Sequence, residues 1–172
     1  DILAIVRDGQ TTLKAGVEFN ATDAGTAAEI GEIKAATSGI VEATVSDKDM
    51  TTVLDATTGL VARGASATDK LTIALDDTSA TAADLLALNS VTSLTVDASK
   101  VDTLSGTYSD ISAVLTDEQA GEVNLGAGVD LSVSEATSSP TITEINTLVT
   151  SLRTTSGMNG KITATLDGTV SD

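Results

Sequence analysis

One recurring pattern constrains this chain more than anything else in it: a Thr, an acid three positions on, an aliphatic residue next, and a second aliphatic three further along. It reads Thr26, Glu29, Ile30, Ile33; Thr81, Asp84, Leu85, Leu88; Thr107, Asp110, Ile111, Val114; and Thr141, Glu144, Ile145, Leu148. The physics is that of a helix start. The Thr hydroxyl accepts an orphan N–H, the acid reaches back and sits at the positive end of the helix dipole, and the aliphatics share one face. Four copies make the chain a repeating one. A fifth helix is predicted over Asp49–Val61, with Met50, Val53 and Leu54 on one face.

Between these starts, apolar residues alternate with polar or small ones, the period of a half-buried strand. The predicted strands carry Val41, Ala43, Val45; Leu71, Ile73, Leu75; Leu94, Val96, Ala98; Val129, Leu131, Val133; and Ile162, Ala164, Leu166, with a sixth in the apolar run Ile2 to Val6. Helix starts near 26, 49, 81, 107 and 141 give a unit of about 29 residues, within the range of stacked α/β repeats. Glycines punctuate the joins, and the single proline, Pro140, precedes the helix entry at Thr141, where a missing N–H does least harm.

Alternating strands and helices with short joins imply parallel strands and crossover helices. A doubly wound sheet buries both strand faces and needs continuous apolar runs. Here Thr44, Thr72, Thr95, Asp130, Ser132 and Thr163 occupy the alternate positions, so one sheet face is polar. The expected fold is therefore α/β, a β-α solenoid resembling leucine-rich repeats, with parallel strands in one layer and helices in the other. Residues 1–172 are expected to form a single repeat domain, part of a longer array. The apolar fraction of 41% suits this, because Phe19 and Tyr108 are the only aromatics and thin layers of small branched side chains supply the core.

Cys and His are both absent, which removes disulfides, thiolate nucleophiles, the common zinc and copper sites and every Ser-His or Cys-His arrangement. No phosphate-binding Gly-rich loop and no Ser-Lys or nucleophile-elbow motif is present. Twenty-five acidic against nine basic residues leave a net charge of −16, which repels nucleic acid and anionic lipid and attracts cations. No apolar stretch approaches the roughly 20 residues of a membrane-spanning helix, so membrane insertion is not expected. The start at Asp1 reads as that of a mature or excised piece of something longer.

The blocks LTIALDDTSATAADLLALNSVTSLTVDASKVDTLSGTYSDI and VDLSVSEATSSPTITEINTLVTSL carry a resemblance. They are similar to the tandem Thr/Ala/Asp-rich repeats of very long surface or secreted proteins of marine cyanobacteria and other marine bacteria, over most of the region from Val41 onward. The resemblance implies an extracellular or cell-surface setting with neighbouring repeats of the same parent chain as partners. Calcium binding is attached to such proteins through glycine-rich nonapeptide repeats, and this chain lacks that repeated motif.

Calcium remains the one cofactor to weigh, since it takes carboxylate and carbonyl oxygens. An acid closes each predicted strand: Asp47, Asp77 (beside Asp76), Asp97, Glu135 and Asp167. On parallel neighbours about 4.8 Å apart these would form a carboxylate ladder inviting divalent cations. The competing and favoured reading has each acid capping or solvating the turn into the next helix. Gly126-Ala127-Gly128-Val129-Asp130 has the shape of a calcium turn but occurs once, and Asp47-Lys48-Asp49 lacks the Gly and terminal Glu of a calcium loop. Asp76 with Asp77 and Asp117 with Glu118 are the close acid pairs available for glycoside hydrolysis, in a chain almost without the aromatic platforms that grip sugars. Asn20-Ala21-Thr22 matches a glycosylation acceptor. The expected role is a structural or adhesive module without catalysis; the alternative is a solenoid that binds a protein or cell-surface ligand along its polar sheet face.

Overall fold

The five predicted helix entries are where the chain turns helical. The computed structural model describes residues 16–134, 140–155 and 158–164. Its helices are α1 (Ala27–Ala36), α2 (Met50–Val53), α3 (Ala82–Asn89), α4 (Tyr108–Ala120) and α5 (Ile142–Thr154). At Thr26 the hydroxyl accepts the Glu29 N–H at 3.2 Å while the Glu29 carboxylate accepts the Thr26 N–H at 3.0 Å, a complete capping box. Thr141 and Glu144 repeat it at 3.2 and 2.7 Å. At Thr81 and Thr107 the acid is the shorter Asp. The hydroxyl accepts the N–H of Asp84 or Asp110 at 3.1 Å and donates to that residue's carboxylate at 2.7 or 2.9 Å. Helix α4 ends where Gly121 takes the left-handed conformation, φ 78°, and returns its N–H to the last turn.

The fifth helix is much shorter than predicted. It stops at Val53 instead of Val61 because the Asp55 carboxylate accepts the N–H groups of Thr57 and Thr58 at 2.9 and 2.8 Å, along with both hydroxyls. Such local side-chain bonds offer the backbone an alternative to the helix.

Nine short strands are described: β1 (Phe19–Asn20), β2 (Val41–Thr44), β3 (Lys70–Thr72), β4 (Ser79–Thr81), β5 (Val96–Ala98), β6 (Thr103–Gly106), β7 (Val123–Leu125), β8 (Asp130–Val133) and β9 (Ile162–Ala164). The predicted strand at Leu94–Ala98 begins two residues late. Leu94 is 40% exposed, and its N–H is taken by the Thr92 hydroxyl at 3.1 Å. The predicted strand over Ile2 to Val6, and Leu166, lie outside the described residues. Strands β1, β4, β6 and β7 were not predicted.

The chain divides into two compact units, Asp1–Asp76 with Ala87–Asp97, and Asp77–Leu86 with Ala98–Asp172. In the first, β1, β2 and β3 form a parallel sheet in chain order, with Phe19 opposite Val41 and Ala43 opposite Leu71. Asp97 bridges to Ala74 in the same sense. Val41, Ala43, Val45, Leu71, Ile73 and Leu75 point inward and are buried, while Thr44 and Thr72, opposite each other, are exposed. In the second unit, β4, β6, β8 and β9 form a parallel sheet, again in chain order. Ala80, Leu104 and Leu131 make a buried column that continues to Ile162. The fold is thus α/β with parallel strands, as expected, and its sheets are small and several where one strand layer was predicted.

Candidate functional site

Several acids among the described residues are spent on backbone N–H groups. Asp47, the first of the predicted ladder, is drawn back to α1, where its carboxylate accepts the Ala27 N–H at 2.7 Å. That bond satisfies one of the donors left open at a helix start and places the charge favourably on the dipole. Asp49 caps α2 through the Thr52 N–H at 3.0 Å. Its carboxyl is held below the usual range first by the Thr51 hydroxyl and then by Thr52. Asp55 is lowered further by the Thr57 hydroxyl and N–H and by Thr58.

Asp77 and Asp97 are both half-exposed. Asp97 sits within a strand rung, its N–H on the Ile73 carbonyl at 2.9 Å and its carbonyl accepting the Leu75 N–H at 2.8 Å. This register sets it opposite Ala74 and not at the end of its strand. Glu135 and Asp167 lie outside the described residues. Among the described residues, no group of three or more acidic side chains converges as a cation site. The glycine-rich turn is explained by packing: a Cβ on Gly126 would lie 2.7 Å from the Ser99 carbonyl oxygen. Asp130, which follows the turn, accepts the Lys161 N–H at 2.7 Å and ties β8 to the approach of β9.

Of the candidate hydrolytic pairs, Glu118 is the better placed. Burial pushes its carboxyl up from the usual value, against the lowering effect of the Leu125 N–H that it accepts at 2.6 Å. That bond fastens α4 to β7. A cleft of about 500 Å³ lies elsewhere in the second unit, between α5 and the approach to β9, lined by Ile145, Val149, Leu152, Arg153, Met158 and Ile162 among others. No carboxylate is among its described walls. Asn20, the glycosylation candidate, is exposed on β1.

Sequence reasoning missed an acid that is fully buried and bonded on every side described. Asp69 is fully buried and holds the Lys34 ammonium at 2.9 Å, the Val41 N–H at 2.8 Å and the Ser66 N–H at 2.8 Å. Lys34 also donates to the Gly39 carbonyl at 3.0 Å. Two buried threonines act in the same way. Thr92 accepts the Leu71 N–H and donates to the Leu71 carbonyl, at 2.9 and 2.8 Å. Thr37 donates to Val17 at 2.6 Å and accepts from Gly39 at 3.0 Å. Both stand four positions before the first buried Val of a strand, Val41 or Val96, and that spacing was the available signal.

Comparison with protein-family models, with characterised proteins and with solved structures finds no match for this chain.

Proposed function

We propose that the chain is a structural or adhesive repeat module of a large extracellular or surface protein, built as a β-α solenoid resembling leucine-rich repeats and carrying no catalysis. The observation that carries this reading is the register of the second unit. Ser79 pairs with Thr103, Thr103 with Asp130, and Leu131 with Ile162, steps of 24, 27 and 31 residues, and each step contains one helix started by Thr-x-x-acid. The first unit advances likewise, by 22 and 28 residues. A chain that returns to a parallel neighbour once per unit, with the Thr-x-x-acid cap at every step but the one through α2, fits assembly by nearest-neighbour stacking. The acids committed to backbone N–H groups serve that assembly. The resemblance to marine bacterial repeat proteins supports a setting among neighbouring repeats of one parent chain.

The test is a turnover survey of the purified chain with chromogenic glycosides, esters and phosphoesters. Rates equal to buffer are expected. Saturable turnover that Glu118→Gln abolishes would overturn the non-catalytic reading.

A second reading, a binding solenoid, is favoured by one observation. Thr81, Ser105, Ser132 and Thr163 stand in register across four parallel strands, a row of hydroxyls on the polar side of the sheet. Such a row suits a polar protein or cell-surface ligand, and glycan-array binding lost on Thr163→Val would favour this reading over the first.

A further inference from the structure

Asn20-Ala21-Thr22 has the acceptor pattern for an N-linked glycan, an Asn with a hydroxyl two residues on and no proline between them. The fold presents it in a particular way. The Phe19 N–H bonds the Ile40 carbonyl at 2.9 Å and the Ala21 N–H bonds the Glu42 carbonyl at 2.8 Å, so the backbone is held extended on both sides of Asn20. Along an extended strand alternate side chains share a face. Glu18, Asn20 and Thr22 are all exposed, whereas Phe19 and Ala21 between them are half-buried. A carboxylate, an amide and a hydroxyl therefore stand in a row on the solvent side, about 7 Å from one to the next. Among the described residues, no hydrogen bond or ion pair engages these three side chains. Asp47, Asp49 and Asp55, by contrast, are tied to backbone N–H groups. The ground beside Asn20 is polar as well: Glu42, opposite it in register, meets Lys70 at 3.4 Å with both side chains about half exposed.

We propose that Asn20 is an N-glycosylation site of the folded chain, modified by an oligosaccharyltransferase that uses a polyprenyl-diphosphate-linked oligosaccharide. The inference rests on the extracellular setting of the repeat-module reading, where such acceptors occur. In the transfer, Asn20 Nδ2 forms a bond to C1 of the first sugar while the C1–O bond to the diphosphate breaks. The diphosphate leaves with the electron pair, and Nδ2 releases one proton. An amide nitrogen is a weak nucleophile because its lone pair is shared with the carbonyl, so activation belongs to the transferase. The chain supplies the presentation. An extended segment with its side chains in alternate register suits a binding groove that reads every second residue. The Thr22 hydroxyl offers a hydrogen bond on one side of the reacting amide, and the Glu18 carboxylate offers a basic group of the transferase an ionic contact on the other. Because β2 already holds the strand and the three side chains already face solvent, transfer requires no local unfolding.

The test incubates the purified full chain with a purified bacterial oligosaccharyltransferase and its polyprenyl-diphosphate-linked oligosaccharide, with a short flexible acceptor peptide as positive control. Products are read by intact mass and peptide mapping. One oligosaccharide per chain is expected, on Asn20, with Asn89, Asn124, Asn146 and Asn159 unmodified because none of them has Ser or Thr two residues on. Asn20→Gln and Thr22→Val should lose the modification, Thr22→Ser should keep it and Glu18→Gln should slow it, with unchanged circular dichroism establishing that the variants fold. A full chain left unmodified while the peptide is glycosylated overturns the proposal, as does transfer to Thr22→Val or Glu18→Gln at the wild-type rate. Either result concerns Asn20 alone; the repeat-module reading is decided separately, by internal deletion of one register step.

Discussion

Asp69 and Glu42 make the two ion pairs described, and they should differ sharply in weight. Asp69 holds Lys34 at 2.9 Å with no solvent access, whereas Glu42 and Lys70 meet at 3.4 Å with both side chains about half exposed. Removing one partner of a buried pair strands the other, so Asp69→Ala should cost about 3–5 kcal/mol, aggravated by the N–H groups of Val41 and Ser66 left unpaired. Lys70→Ala should cost less than about 1 kcal/mol. Urea denaturation of the two variants checks both. Glu118 works against stability at neutral pH. Its folded value is raised by burial, so above that value the folded state carries a desolvated charge, and the penalty is relieved as pH falls through it. Glu118→Gln keeps an oxygen for the Leu125 N–H. Its Tm should exceed wild type by about 1–2 °C at pH 7 and match it near pH 4, the difference being modest because the group is only partly buried. None of this was legible beforehand. Asp69 and Glu42 were not singled out and Glu118 was named only as one of a close acid pair, because a bond such as that from Val41 to Asp69 joins groups distant in sequence.

At the scale of elements, the helix starts were legible and the strands less so, for a physical reason. A cap is local: Thr26 and Glu29, or Thr141 and Glu144, complete their bonds within one turn. Strands such as β4 and β7 are set by pairing with a neighbour distant in sequence. The overlong prediction for α2 failed on a different, local ground, since Asp55 accepts the N–H groups of Thr57 and Thr58 and offers the backbone an alternative to the helix. Thr26→Ala should therefore destabilise by about 1 kcal/mol, read from thermal melts. The caps also set the acid limit. The folded values of Asp49, Asp55 and Glu144 are depressed, so the stability they confer is present above their unfolded values and is lost as pH falls through the folded ones. Melts should shift steadily downward from about pH 5 to pH 2, and a flat profile would contradict the capping account.

For the whole molecule the net charge of −16 and the repeating register make separate claims. Self-repulsion within the chain should be relieved by salt, so Tm rises with NaCl. Because Asp47 is already bound to Ala27 and Asp97 lies opposite Ala74, calcium should raise Tm no more than NaCl of equal ionic strength. A specific calcium increment, lost on substituting Asp47, Asp77, Asp97, Glu135 or Asp167, would restore the carboxylate ladder. The central claim is that the chain is assembled from interchangeable units, and its most direct test is an internal deletion. Thr103 pairs with Asp130, so removing residues 103–129 excises one register step with its helix and rejoins the chain in phase. Removing residues 103–115 cuts within a unit. The account predicts that the first variant, as a monomer in dilute buffer, keeps a single cooperative urea transition at a lower midpoint while the second loses it. Loss of the cooperative transition in both would contradict it.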